Sequence, residues 1–113
     1  MTRMIPLPHG GPGAAFDAAD LVRHVQSSGR DYIIQGQINC KLDDHRKPSS
    51  LDVWLRKNYA ATPDTKQAVN QVVKALVETG LFKVERNLIC PDSGRPCKGL
   101  RLTDAGRTLA VSR

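Results

Sequence analysis

Lys66-Gln67-Ala68-Val69-Asn70-Gln71-Val72-Val73-Lys74-Ala75-Leu76-Val77-Glu78-Thr79-Gly80-Leu81-Phe82 is the stretch on which the reading of the chain turns. Val69, Val72, Val73 and Leu76, helped by Ala68 and Ala75, recur at helical spacing and form one apolar face. Lys66, Gln67, Asn70, Gln71 and Lys74 form the opposite face. A merely solvated face usually mixes Glu with Lys, because such pairs support an exposed helix. Here no acid appears before Glu78. Asn and Gln can bond the N6/N7 edge of adenine, and Lys suits guanine O6/N7 or a phosphate. The face therefore has the chemistry of a groove-reading helix, with an ordinary wet face as the alternative. Thr62 as N-cap and Pro63 at the first helical position open this helix, and Gly80 ends it, so it is expected over about 63–79.

Beyond Gly80 the period changes from helical to alternating. Leu81 to Cys90 reads as a strand, Pro91 to Pro96 as a turn and Cys97 to Thr103 as a returning strand, with a short helix over Asp104 to Val111. Asp92-Ser93-Gly94-Arg95 is good turn chemistry. Arg95 and Lys98 are expected near the hairpin tip, with Arg86 and Arg101 further down the strands, where cations can enter a minor groove or lie along phosphates. Upstream, a helix is expected over about 16–28, carrying Leu21, Val22 and Val25 inward. Tyr32 to Cys40 alternates as a half-buried strand, with Gln35, Gln37 and Asn39 on its polar face. Asp43 to Ser50 reads as a loop, and Ser49 or Ser50 caps a helix over about 51–60 that turns Leu51, Trp54 and Leu55 inward. Residues 1–15, rich in Pro and Gly, are expected to form a flexible arm ahead of one domain over 16–113.

The order helix, strand, helix, turn, helix, strand, turn, strand is the plan of a winged helix-turn-helix, whose helix before the hairpin enters the major groove. The expected fold class is α+β and mostly helical, a single winged-helix domain with a two- to three-stranded antiparallel wing sheet over about 81–103. Val77-Glu78-Thr79-Gly80-Leu81-Phe82 together with Leu100-Arg101-Leu102-Thr103-Asp104-Ala105-Gly106-Arg107 resembles winged-helix transcriptional regulators of the MarR and PadR type. The resemblance covers roughly the last half of the chain. It implies a double-stranded DNA partner and a role in transcription regulation. The 31–48 segment is longer than the usual first strand and linker, and the long terminal helices through which MarR-type proteins dimerise are missing, so a homodimer is left open. The runner-up function is a winged helix used for protein–protein contact in a larger replication, mobile-element or regulatory assembly.

Charge agrees with a polyanionic partner without proving one. The 113 residues carry a formal charge of +6 and a pI near 9.6. From Leu81 to Arg113 seven cations face three anions, so the C-terminal third holds most of the excess. No apolar run approaches the roughly 20 residues of a membrane span, and Met1 to Gly13 lacks a signal-peptide core. Three cysteines, an odd number, suit a reducing compartment, and the expected location is cytoplasmic, away from the membrane.

Cys90 and Cys97 flank the hairpin turn and are expected opposite each other. Three readings stand: reduced thiols filling an apolar niche, a reversible redox pair, or zinc ligands with Cys40 and His45, which makes a thiol- or metal-responsive sensor the minor alternative. The six residues between Cys90 and Cys97 exceed normal zinc-ligand spacing, so no metal site is assigned. No enzyme is expected. His9, His24 and His45 are scattered, Asp43-Asp44 is an isolated acidic pair, and no glycine-rich phosphate loop follows a strand, so no cofactor is implied either.

Overall fold

The computed structural model describes residues 4–7, 14–35, 50–58, 66–91 and 94–111. The elements are β1 (Met4–Pro6), β2 (Ala15–Asp17), α1 (Ala18–Ser27), β3 (Tyr32–Ile34), α2 (Leu51–Asn58), α3 (Lys66–Glu78), β4 (Phe82–Ile89), β5 (Pro96–Leu102) and α4 (Asp104–Val111). The expectation of a mostly helical domain with one small wing sheet is corrected. Five described strands form two antiparallel sheets, β1-β2 and β3-β5-β4, beside four short helices.

The second sheet arises where an arm was expected. Ile5 pairs with Phe16 across β1 and β2, and both are about 1% exposed. Leu7 is buried as well, and its N–H donates to the Ala14 carbonyl at 2.9 Å. The alternation of Ile5 and Leu7 outweighs the neighbouring prolines, because Pro6 sits at the end of a two-stranded ladder where a missing N–H is tolerated. Phe16 thus belongs to a strand and not to the first helix. Asp17 caps α1 by accepting from the Ala19 N–H at 2.9 Å.

The three-stranded sheet buries side chains on both faces. Its register pairs Phe82 with Leu102 and Val84 with Leu100, and Ile33 with Leu100 on the other side. This face joins Val69, Val72, Val73 and Leu76 of α3, with Leu21, Val22 and Val25 of α1, in the main core. The reverse face holds a smaller cluster of Ile34, Leu88 and Cys90, with Tyr32 and Cys97 at its margin. Burial on both faces explains why Ile33 and Ile34 are both inside and why the expected alternation fails there. The strand assigned to Cys40 ends at Ile34 among the described residues, and residues 36–49 lie outside them.

The junction of α3 with the hairpin follows from local chemistry. Gly80 adopts φ +80°, a conformation costly for other residues, and its N–H closes the helix on the Val77 carbonyl at 3.0 Å. Thr103 then ties the hairpin back. Its hydroxyl donates to the Gly80 carbonyl at 2.5 Å and accepts from the Gly106 N–H at 3.2 Å, capping α4. α2 is capped by Ser50, whose Oγ accepts from the Val53 N–H at 3.2 Å. The opening of α3 at Thr62 and Pro63 lies outside the described residues.

His24 lies half-buried against Trp54, with ring centroids 5.7 Å apart, and burial holds its imidazole below the ordinary value of 6.5. The unfolded chain therefore takes up this proton first. Stability is full above pH 6.5 and is lost as pH falls through the lower folded value. Urea midpoints measured from pH 8 to pH 5 are expected to fall more steeply for the native chain than for His24→Gln. Parallel slopes would exclude His24 as the cause.

Candidate nucleic-acid interface

The α3 surface is built by the register of the apolar seam. With Val69, Val72, Val73 and Leu76 buried, Asn70, Gln71 and Lys74 stand exposed on the outer side. Glu78 follows on the last turn and is exposed too. Lys66 and Gln67 fall on the first turn of α3, and their side chains lie outside the described residues.

The hairpin supplies the second set of groups. Arg86, Arg95 and Lys98 are all exposed. Arg86 belongs to a β-bulge. The ladder pairs Glu85 with Gly99 and Leu88 with Cys97, so Arg86 and Asn87 together oppose Lys98, and Asn87 adopts φ 63°. The bulge brings Arg86 and Lys98 to one point on the sheet. Ile89 pairs with Pro96 nearer the tip, and Ile89 is 51% exposed.

Gln35 joins the two sets, and sequence reasoning missed it. Its backbone N–H donates to the Lys98 carbonyl at 2.9 Å, and its carbonyl accepts from the Asp52 N–H at 3.3 Å. Its Nε2 donates to Asn70 Oδ1 at 3.0 Å. A buried glutamine thus links β5, the first turn of α2 and the outer face of α3. Sequence alternation set Gln35 on a polar face. The available signal was its neighbour two residues back, Ile33, which marks that same side of the strand as a core side.

Two cations, Arg101, expected on the hairpin strands, and Arg107 of α4, are engaged internally. Arg101 donates through Nε to Glu85 and through Nη1 to Asp31, both at 2.6 Å, and lies 5.5 Å from the Tyr32 ring centroid. Glu85 foremost, then Asp31, hold its guanidinium above the ordinary value. Arg107 donates to the Leu102 carbonyl at 2.8 Å and pairs with Asp104. The Tyr32 hydroxyl donates to the Ile89 carbonyl at 2.7 Å, reaching from β3 across β5 to β4. These groups brace the reverse face of the sheet.

The expected juxtaposition of Cys90 with Cys97 is corrected. Cys97 pairs with Leu88, while the Cys90 N–H donates to the Arg95 carbonyl at 2.9 Å, so Arg95 is the residue across from Cys90. The Gly94 N–H closes the turn on the Cys90 carbonyl at 2.8 Å, so the bend centres one residue earlier than a turn that would align the cysteines, and the register slips by two. They become diagonal neighbours on the reverse face, where Cα atoms stand roughly 7–8 Å apart, beyond disulfide reach without backbone movement. Cys90 is buried and Cys97 partly so. Asp92 and Ser93, and Cys40 and His45 of the zinc reading, lie outside the described residues. Among the described residues no three His, Cys, Asp or Glu side chains converge on a possible metal position.

No described helix is long and apolar enough to cross a membrane. No family model, curated protein or solved structure matches the chain.

Proposed function

We propose that this chain binds double-stranded DNA, with α3 in the major groove and the β4–β5 hairpin on flanking DNA. The observation that carries the reading is a hydrogen-bonded link between two exposed polar, cationic sets. Asn70, beside Gln71 and Lys74 on α3, is bonded to buried Gln35, whose backbone N–H is bonded to Lys98 of the hairpin, opposite Arg86. Amide groups suit base edges, and the flanking cations suit phosphates. A cytoplasmic role in transcription regulation follows from the same reading.

The test is a salt titration of duplex binding by fluorescence anisotropy with the whole chain. The native protein is expected to bind random duplex with an affinity that falls steeply as salt rises. Lys74→Gln and Lys98→Gln should each shallow the log–log slope by about 0.9 and weaken binding to every sequence alike. Gln71→Ala should instead relax base preference, by about 1–3 kcal/mol if its contact is bidentate. Binding that ignores salt and both lysine changes would refute the interface.

One observation favours a second reading, that of a protein-contact module. Val84 and Ile89 of the hairpin are 44% and 51% exposed, a pair of large apolar side chains on a small surface. Under that reading sedimentation shows a stable assembly, with a homodimer the simplest case, and no salt-sensitive affinity for duplex.

A further inference from the structure

We propose that Gln35 is a positioning residue that decides which end of the Asn70 carboxamide faces outward, making this point of the α3 surface a hydrogen-bond donor that selects guanine. The inference rests on the DNA-binding reading and deepens it. Gln35 is held from two sides, by the Lys98 carbonyl of β5 and the Asp52 N–H of α2, and is only 9% exposed. Those bonds fix its main chain, and its side-chain Nε2 donates to Asn70 Oδ1 at 3.0 Å. A carboxamide is planar, with its oxygen and nitrogen on opposite sides of the terminal carbon. Holding Oδ1 toward Gln35 therefore turns Nδ2 away from it. Asn70 is exposed, and among the described residues no other group bonds its side chain.

The polarity of that amide has a consequence for base choice. An asparagine with both ends available accepts from adenine N6 and donates to adenine N7. With Oδ1 drawn inward, the outward group carries two hydrogens and seeks acceptors. Guanine presents O6 and N7 side by side in the major groove, whereas adenine sets an amino group beside its N7. The bond from Gln35 thus moves the expected preference of Asn70 from adenine to guanine.

The test is selection from a random duplex library with the whole chain in four forms: native, Asn70→Ala, Gln35→Glu and Gln35→Met. Asn70→Ala identifies the motif position by losing preference there. The native chain should favour guanine over adenine at that position by roughly tenfold. Glutamate at position 35 only accepts, so it draws Nδ2 inward and turns Oδ1 outward. Preference should then move to adenine and cytosine, the bases with exocyclic amino donors. Methionine releases the amide, and adenine and guanine become equally acceptable. The salt slope stays at the native value in Asn70→Ala and Gln35→Met, because neither the charge nor a phosphate contact changes.

An unchanged motif in both Gln35 variants, with binding intact, overturns the positioning role and leaves DNA binding standing. A native chain without salt-sensitive duplex binding overturns both proposals. Should Gln35→Glu fail to fold, nitrogen–proton spectra of the DNA-free native chain provide the second readout. The Gln35 Nε2 protons should exchange more slowly than open side-chain amides and lose that protection in Asn70→Ala. Unprotected Nε2 protons in the native chain would overturn the inference.

Discussion

Gly99→Ala is expected to lower the unfolding free energy by about 3 kcal/mol, the upper part of the usual range for overpacking. A Cβ at position 99 would lie 2.3 Å from the Ile33 carbonyl oxygen and 2.7 Å from the Ile34 Cα. Both obstacles are backbone, so no side chain can rotate aside. Relief requires β3 to move off β5, and β3 carries Ile33 into the main core and Ile34 into the cluster behind the sheet. The damage therefore reaches both faces. Urea denaturation followed by circular dichroism measures the change, with Val84→Ala, an exposed position on β4, as a control expected within about 0.5 kcal/mol. A Gly99→Ala midpoint equal to that of the control would mean that β3 does not approach β5 as described.

Ile5→Ala is expected to cost a similar amount, about 2–5 kcal/mol, through lost burial and the cavity left behind. Ile5 is about 1% exposed opposite Phe16, and Phe16 meets Trp54 edge-on with ring centroids 5.6 Å apart. Truncating Ile5 thus opens space beside Phe16, one of the chain's few aromatic rings. Met4 is 49% exposed, so Met4→Ala should change stability by less than about 0.5 kcal/mol. The comparison separates a structural first strand from a mobile arm. For an arm, both substitutions would be silent.

What the residues disclosed in advance depended on whether the deciding contacts were local. The α3 seam and the stop at Gly80 obey periodicity and backbone sterics, which act over a few residues and can be read from sequence. The Thr103 cap of α4 is local in the same way. The first strand was hidden because composition near Pro6 and Gly10 suggested disorder, while its stability comes from Phe16, eleven residues away, and from the core beneath. The diagonal placement of Cys90 and Cys97 depends on how the turn closes, and symmetry about Ser93 and Gly94 misled by two residues. Of the candidate interface, Asn70, Gln71, Lys74, Arg86, Arg95 and Lys98 could be nominated by residue type. Their link through Gln35 could not, because a bond between residues 35 positions apart leaves no periodic trace.

The bulge at Arg86 and Asn87 also bears on how the molecule keeps to itself. Among the described residues β4 lies at the rim of its sheet, where an unpaired row of amides and carbonyls invites a passing chain to add a strand. An extra residue with φ 63° breaks that row partway along its length. A newcomer would find matching spacing for only a few residues on either side, with Lys83 and Arg86 repelling any copy of the same rim. The irregularity that gathers cations on the hairpin thereby guards the molecule against fibre growth through backbone pairing.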